Sequence, residues 1–348
     1  MTSTPSWTEF ELRQLALAIE FEGWIGIARG AHASCAFKVQ HNPTISVRVS
    51  VEDQIIVGNL QRLSRLGCVR LYGSPYGGTA SWRVTGRTAK LLAQAIEPFA
   101  ICKAEQCRLL MAFPMTTTKV PQVTSQIFAQ REAATERIRE LNATGPSNDV
   151  TLRQTPEAEE RAHQWEEWIE NSATADQRAR LFAQSIDLEG CFSAKRSRNP
   201  SFRSGLHHAV TVQFGQVQRR RALFLVLSAL FGEEGVHTYT SIQRDSRHDQ
   251  ECTWFTSGPR AVRIARQVAP FIVVKRQQAQ LISEFPLRPA GGGKRISPAE
   301  FQKREEIYWE MKRLNARRTR IIPPAVAPAS MHENIPFLQT APPGPSPA

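Results

Sequence analysis

The hydrophobic residues of the chain change period within its first fifty positions. Leu12, Leu15, Ala16 and Ile19 recur at i, i+3, i+4 and i+7 behind a Thr8-x-x-Glu11 capping box, which predicts an amphipathic helix. Gly23 is expected to end it, as a C-terminal glycine does. From Thr44 to Val51 the pattern alternates strictly. Ile45, Val47, Val49 and Val51 share one face, and Thr44, Ser46, Arg48 and Ser50 the other. That predicts a half-buried antiparallel strand whose polar face can meet a ligand. A second amphipathic helix runs to Gly67, and LYG and SWRVT predict two strands around a Gly/Pro turn. One helix ends before Pro98 and another begins near Lys103.

The same order then recurs. SWRVTGRTAKLLAQAIEPFAICKAEQCRLLMAFP (81–114) aligns without a gap on TWFTSGPRAVRIARQVAPFIVVKRQQAQLISEFP (253–286), placing Trp82 on Trp254, Pro98 on Pro270, Lys103 on Lys275 and Phe113 on Phe285. Thr174-x-x-Gln177, AVTVQF (209–214), RALFLVLSALFG (221–232), HTYT and CTWFT supply the rest of the second copy. Each copy reads as αββαββα followed by a charged helix ending in Leu-Asn (141–142 and 314–315). The expected class is α+β. Residues 1–123 form the first repeat, 124–173 a helical acidic connector, 174–320 the second repeat and 321–348 a tail. The tail holds eight prolines in 28 residues and is expected to be extended or disordered, without activity of its own. GGGK (291–294) lacks the spacing and the preceding strand of a phosphate loop and reads as a flexible turn.

Charge narrows the partner. The net charge is +12, but residues 131–170 carry ten acids against five arginines, so the remainder holds +12 − (−5) = +17. Two basic blocks beside an acidic connector favour a polyanion, nucleic acid before membrane surface. No apolar run reaches the roughly 20 residues of a membrane span, and Met1–Gln14 has neither the basic start nor the apolar stretch of a signal peptide. The six cysteines (35, 68, 102, 107, 191, 252) are scattered, which suggests neither a zinc site nor a disulfide framework and points to a reducing compartment. His207–His208, at a strand start, reads as surface rather than ligand.

Candidate chemistry sits where each motif helix ends. LALAIEFEG (15–23) places Glu20 and Glu22 before Gly23, and FAQSIDLEG (182–190) places Asp187 and Glu189 before Gly190. An acid at a helix C-terminus is unfavourable by about 0.3–1 kcal/mol, so two such acids ask for a reason. Small Ala16 and Ala183 allow the two helices to pack closely and bring Glu22 and Glu189 together. Two converging carboxylates repel unless a cation lies between them, and hard oxygen ligands suit Mg²⁺.

A helix ending in two spaced acids and glycine, twice in one chain and each followed by Pro-x4-Lys, resembles the LAGLIDADG homing endonucleases. The resemblance spans about 8–114 and 175–286. It implies a single-chain, monomeric, Mg²⁺-dependent enzyme that makes a double-strand break at a long DNA target, hydrolysing phosphodiesters across the minor groove. Carried over, Glu22 and Glu189 are the metal-binding acids. Lys103 and Lys275 are the active-site lysines, and Glu20 and Asp187 read as local structural acids. Gln216 and Arg220, counted from the glycine ending the next helix, match positions that hold solvent and phosphate. The first copy departs there, with Val51 and Ile55, so that Glu52, Asp53 or Gln54 substitutes, the two strands are cut at different rates, or cleavage is impaired.

The resemblance also implies that each sheet follows the DNA major groove. The residues expected on it are Arg29, Lys38, Gln40, Arg48, Arg70 and Arg83 in the first repeat. In the second they are Lys195, Arg196, Arg198, Arg203, Gln213, Thr238, Thr240, Gln243 and Arg244. Arg can read guanine and Gln adenine, and either can anchor a phosphate. KRSRNPSFR (195–203) is expected to be a flexible arm. The alternative is a catalytically weak or inactive DNA- or RNA-binding protein of the same fold, such as a maturase acting on intron RNA or a transcription factor. A plain two-domain scaffold is the third reading. Compartment would follow the encoding genome, cytoplasmic or organellar.

Overall fold

In a computed structural model, the chain is described over residues 5–33, 37–73, 77–115, 123–143, 156–199, 205–217, 221–232, 237–240, 251–287 and 296–319. The first copy runs α1 (Glu9–Glu22), β1 (Gly23–Ala31), β2 (Val39–Ser50), α2 (Gln54–Ser64), β3 (Cys68–Tyr72), β4 (Thr79–Thr85), α3 (Arg87–Ile96), α4 (Ala104–Ala112) and α5 (Ser125–Asn142). After α6 (Pro156–Asn171) the plan repeats. It runs α7 (Ala175–Leu188), β5 (Gly190–Arg198), β6 (Leu206–Val217), α8 (Ala222–Phe231), β7 (His237–Thr240), β8 (Glu251–Ser257), α9 (Pro259–Val268), α10 (Arg276–Ser283) and α11 (Pro298–Thr319). The sheets are antiparallel, in the orders β1-β2-β4-β3 and β5-β6-β8-β7. The GGGK turn and the tail beyond Thr319 lie outside the described residues.

Both expected capping boxes form. Thr8 and Glu11 close the start of α1, and Thr174 and Gln177 the start of α7, each satisfying N–H groups that a first helical turn leaves without partners. The two motif helices pack side by side with Ala16 and Ala183 buried, the Phe21 and Phe214 rings 6.2 Å apart, and Gln184 Nε2 donating to Gln14 O at 2.9 Å. Each sheet wraps one face over this pair. Ile45, Val47 and Trp82 in one half, and Val212, Phe214 and Trp254 in the other, are buried.

Three points are refined. Gly23 ends α1 as expected, with an extended backbone (φ −82°, ψ 151°). Glycine is needed there because a Cβ would lie 2.5 Å from Ile19 Cα, and at Gly190 one would lie 2.7 Å from Ile186 Cα. Lys195–Arg198 are not an arm but the end of β5, paired with Ala209 to Leu206 of β6.

The third point concerns the alignment of Gln216 and Arg220. Val47 pairs with Gly23 and Trp82 as Phe214 pairs with Gly190 and Trp254. The helices that follow end in left-handed residues Arg65 (φ 57°) and Gly232 (φ 73°). The offset is 167 from the motif glycines through these helix caps, so Gln216 corresponds to Val49 and Arg220 to Asp53, not to Val51 and Ile55. Counting from Gly67 misled because the left-handed cap of α2 is Arg65, not a glycine.

Candidate active site and nucleic-acid interface

Glu22 and Glu189 emerge from the ends of α1 and α7, each half-buried, with their carboxyl groups within hydrogen-bonding reach of each other. Burial first, then the charge of Glu189, pushes the Glu22 carboxyl up to about 7. Among the described residues no third His, Cys, Asp or Glu joins them in a cluster.

Two residues earlier, Glu20 turns away from this pair. Its Oε1 accepts the backbone N–H groups of Ile101 (2.8 Å), Cys102 (3.0 Å) and Lys103 (2.9 Å), at the N-terminus of α4. Lys103 answers in the opposite direction. Its buried Nζ donates to the carbonyls of Ile19, Glu20 (3.0 Å) and Gly23 (2.6 Å), closing the C-terminus of α1. The second repeat reproduces the clasp residue for residue, with the three N–H groups shared between both Asp187 oxygens. Asp187 accepts from Val273 (2.7 Å), Val274 (3.1 Å) and Lys275 (3.0 Å), and Lys275 Nζ donates to Ile186 (2.5 Å), Asp187 (3.1 Å) and Gly190 (2.6 Å) carbonyls. Burial pushes the Asp187 carboxyl up, against the N–H groups that pull it down. The negative helix ends that make Glu22 and Glu189 costly are thus each met by a lysine.

The uncovered sheet faces flank the acid pair. In the first sheet, Trp24, Ser46, Arg83 and Cys68 form one cross-strand row, and Arg48, Ser81 and Arg70 another. Gln40 and Arg48 are exposed on this side, and Lys38 is exposed at the turn before β2 with φ 53°. Arg83 is half-buried there, its Nε without a hydrogen-bond partner among the described residues. In the second sheet Ser193, Lys195, Thr211 and Gln213 alternate onto the open side, where the Ser193 and Thr211 hydroxyls meet at 2.5 Å.

No family model matches the sequence, and no curated protein matches it. Solved structures do. A meganuclease, I-SmaMI bound to uncleaveable DNA, superposes with a TM-score of 0.55 at 14% identity, over 88% of this chain and 100% of that one. I-GzeII in complex with its DNA target gives 0.54 at 12% identity, over 87% and 97%. I-CpaMI bound to uncleaved DNA gives 0.53 at 11% identity, over 90% and 98%. The fold is that of the LAGLIDADG homing endonucleases.

Within this LAGLIDADG fold, several residues expected on the groove lie elsewhere. Arg29 shares the parity of buried Ile25 and Ile27 and reaches Glu132 of α5 at 3.3 Å. Arg196 pairs with Glu305 of α11 at 2.9 Å and lies over the Tyr308 and Trp309 rings; Arg198 shares its parity. Thr238 and Thr240 stand in backbone register with the buried Trp254 and Cys252. Arg203, Arg220, Gln243 and Arg244 lie outside the described residues, and of Gln216 only the backbone is described.

His208 is buried, not surface, and its Nε2 meets Glu305 at 2.6 Å; His41 meets Glu132 at 2.6 Å in the same way. Each pair ties a strand to the long helix of its repeat. The offset of 167 between the two histidines was the available signal. No helix among the described residues is long and apolar enough to cross a membrane.

Proposed function

We propose that the chain is a site-specific DNA endonuclease that cuts both strands of a long duplex target. The observation that carries this reading is the Glu22–Glu189 pair at the seam of two motif helices, between two sheets with polar open faces. The donor set fits a divalent cation. Two carboxylates held against each other, one pushed up to about 7, are a site short of positive charge, and their hard oxygens suit Mg²⁺. When bound, such an ion polarises a phosphate and lowers the pKa of a bound water. Glu22 and Glu189 would hold it, one acid for each strand. Lys103 and Lys275 fix the helix ends from which those acids project, and their positive charge lies close enough to lower the Glu22 pKa. The open-face side chains Gln40, Arg48, Arg70, Arg83, Lys195 and Gln213 would meet the major groove, Arg toward guanine or phosphate and Gln toward adenine.

The half-sites are unequal. By the offset of 167, Gln216 and Arg220 in the second repeat align with Val49 and Asp53 in the first, so one strand would be cut faster and a nicked intermediate would accumulate. The same inequality favours the second reading, a binder of duplex DNA or intron RNA without cleavage. Plasmid cleavage against a randomised target library, in Mg²⁺ and in Ca²⁺, decides between them. Discrete double-strand cuts in Mg²⁺ alone, lost in Glu22→Gln and Glu189→Gln, support the nuclease. Tight, salt-sensitive binding without cleavage in any metal supports the binder. A monomer suffices for either, since both repeats lie in one chain.

A further inference from the structure

Among the described residues, one of two grooves related by the pseudo-twofold is filled and its mate is open. In the filled groove α6 lies between α8 of the second repeat and the turn Glu97–Phe99 of the first. Arg161 donates to Glu97 O (2.7 Å) and Ala100 O (3.2 Å), and Trp165 Nε1 to Phe99 O (2.9 Å). Beneath α6, Arg13 stacks over Phe99 at 4.8 Å and is roofed by Trp165 (4.8 Å) and Trp168 (4.2 Å).

Every wall of this groove recurs at the symmetry-related place. Arg180 stacks over Phe271 at 4.7 Å as Arg13 does over Phe99, and pairs with Asp176 as Arg13 pairs with Glu9. Ile56, Leu60 and Leu63 of α2 face it, as α8 faces α6. Among the described residues no helix roofs it. A groove of ≈ 380 Å³ remains, the Arg180 side chain is 50% exposed where that of Arg13 is 9%, and Val273 is 37% exposed.

We propose that this groove is the docking site for residues 329–340 of the same chain, ASMHENIPFLQT, with Phe337 and Leu338 roofing Arg180. Three observations single out this occupant. The first is reach: α6 begins 14 residues beyond Asn142, and the same count beyond its equivalent Asn315 arrives at Ala329. Both asparagines hold equivalent places, Asn142 Nδ2 on Ile25 O and Asn315 Nδ2 on Phe192 O. The second is composition. Met331, Ile335, Phe337 and Leu338 follow at that point, and Phe337 is the one aromatic residue after Trp309. The third is charge. The segment has no Lys or Arg and one carboxylate, Glu333, while the groove is lined by Arg180 and Arg276 against one acid, Asp187. Pro336 fixes one φ angle in the free segment, so less chain entropy is lost on docking.

Amide hydrogen exchange on the full chain tests this, comparing wild type with Phe337→Ser/Leu338→Ser. Docking predicts that the amides of α2 and of residues 271–276 exchange about tenfold faster in the double variant, while those of α5 are unchanged. A synthetic peptide of residues 326–340 should restore the slow exchange to that variant. Equal exchange in the two chains overturns the proposal. Protection that grows with protein concentration also overturns it, by assigning the groove to a second copy. Neither readout depends on nuclease activity.

Discussion

At the scale of residues, the acid pair should show itself in stability before it shows itself in catalysis. A carboxyl raised to about 7 in the folded chain, against 4.5 when free, costs stability as pH rises. The cost begins near 4.5, where the unfolded chain loses its proton, and is complete above about 7, where the folded chain does. Without divalent metal, stability should therefore fall across that window by something on the order of 2 kcal/mol, discounted for partial exposure. Glu22→Gln should flatten the profile and raise the melting temperature at pH 8, and Mg²⁺ should raise it in wild type more than in the variant. A thermal melt series from pH 4 to 8, with and without Mg²⁺, measures both; a flat wild-type profile would contradict the reading of the pair. Lys103 gives a contrasting expectation. Its ammonium holds three carbonyls at a buried helix end, so Lys103→Met should cost about 3 kcal/mol in denaturant unfolding. That loss should appear with or without DNA, which a lysine serving only a phosphate would not produce.

At the scale of elements, the acid–lysine clasp joins α1 to α4 and α7 to α10, and so fixes the exit of the motif helices into β1 and β5. Gly23→Ala tests the exit directly. The new Cβ would meet the backbone of Ile19 at 2.5 Å, with nothing flexible to yield, and about 2–3 kcal/mol of destabilisation is expected in chemical denaturation. Much of this architecture was legible in sequence. The capping boxes, the strict alternation of 44–51 and the in-register Pro-x4-Lys blocks all carry local periodicity, and each became the predicted element. The facing of β1 and β5 was not legible. GWIGIARGA interrupts its alternation with glycine and alanine, so Arg29 reads as polar and free when its parity turns it toward Glu132 at the edge of α5. The His41–Glu132 and His208–Glu305 pairs span 91 and 97 residues, a separation that no local pattern reports.

At the scale of the whole molecule, the proposed function divides the charge of +12 between cations that would meet a polyanion and cations that hold the protein together. The two sheet faces differ in the same way. Arg48 and Arg70 lie on the open row of the first sheet with exposed side chains, whereas Arg196 is tied to Glu305 and stacked on Tyr308 and Trp309. Each phosphate contact contributes about 0.9 to the slope of log K against log salt for duplex DNA. If the open faces carry the duplex, Arg48→Ala and Arg70→Ala should each lower that slope by up to about 1 while leaving the melting temperature within about 2 °C of wild type. Arg196→Ala should do the reverse, with an unchanged slope and a loss of about 1 kcal/mol, because its partners are an acid and two rings of its own chain. Binding titrations of the three variants at four salt concentrations, paired with thermal melts, separate the two classes. An Arg196→Ala slope that falls as far as that of Arg48→Ala would mean that the helix-covered edge also reaches the nucleic acid, and the footprint would then extend beyond the open rows to the long helices at the flank of each sheet.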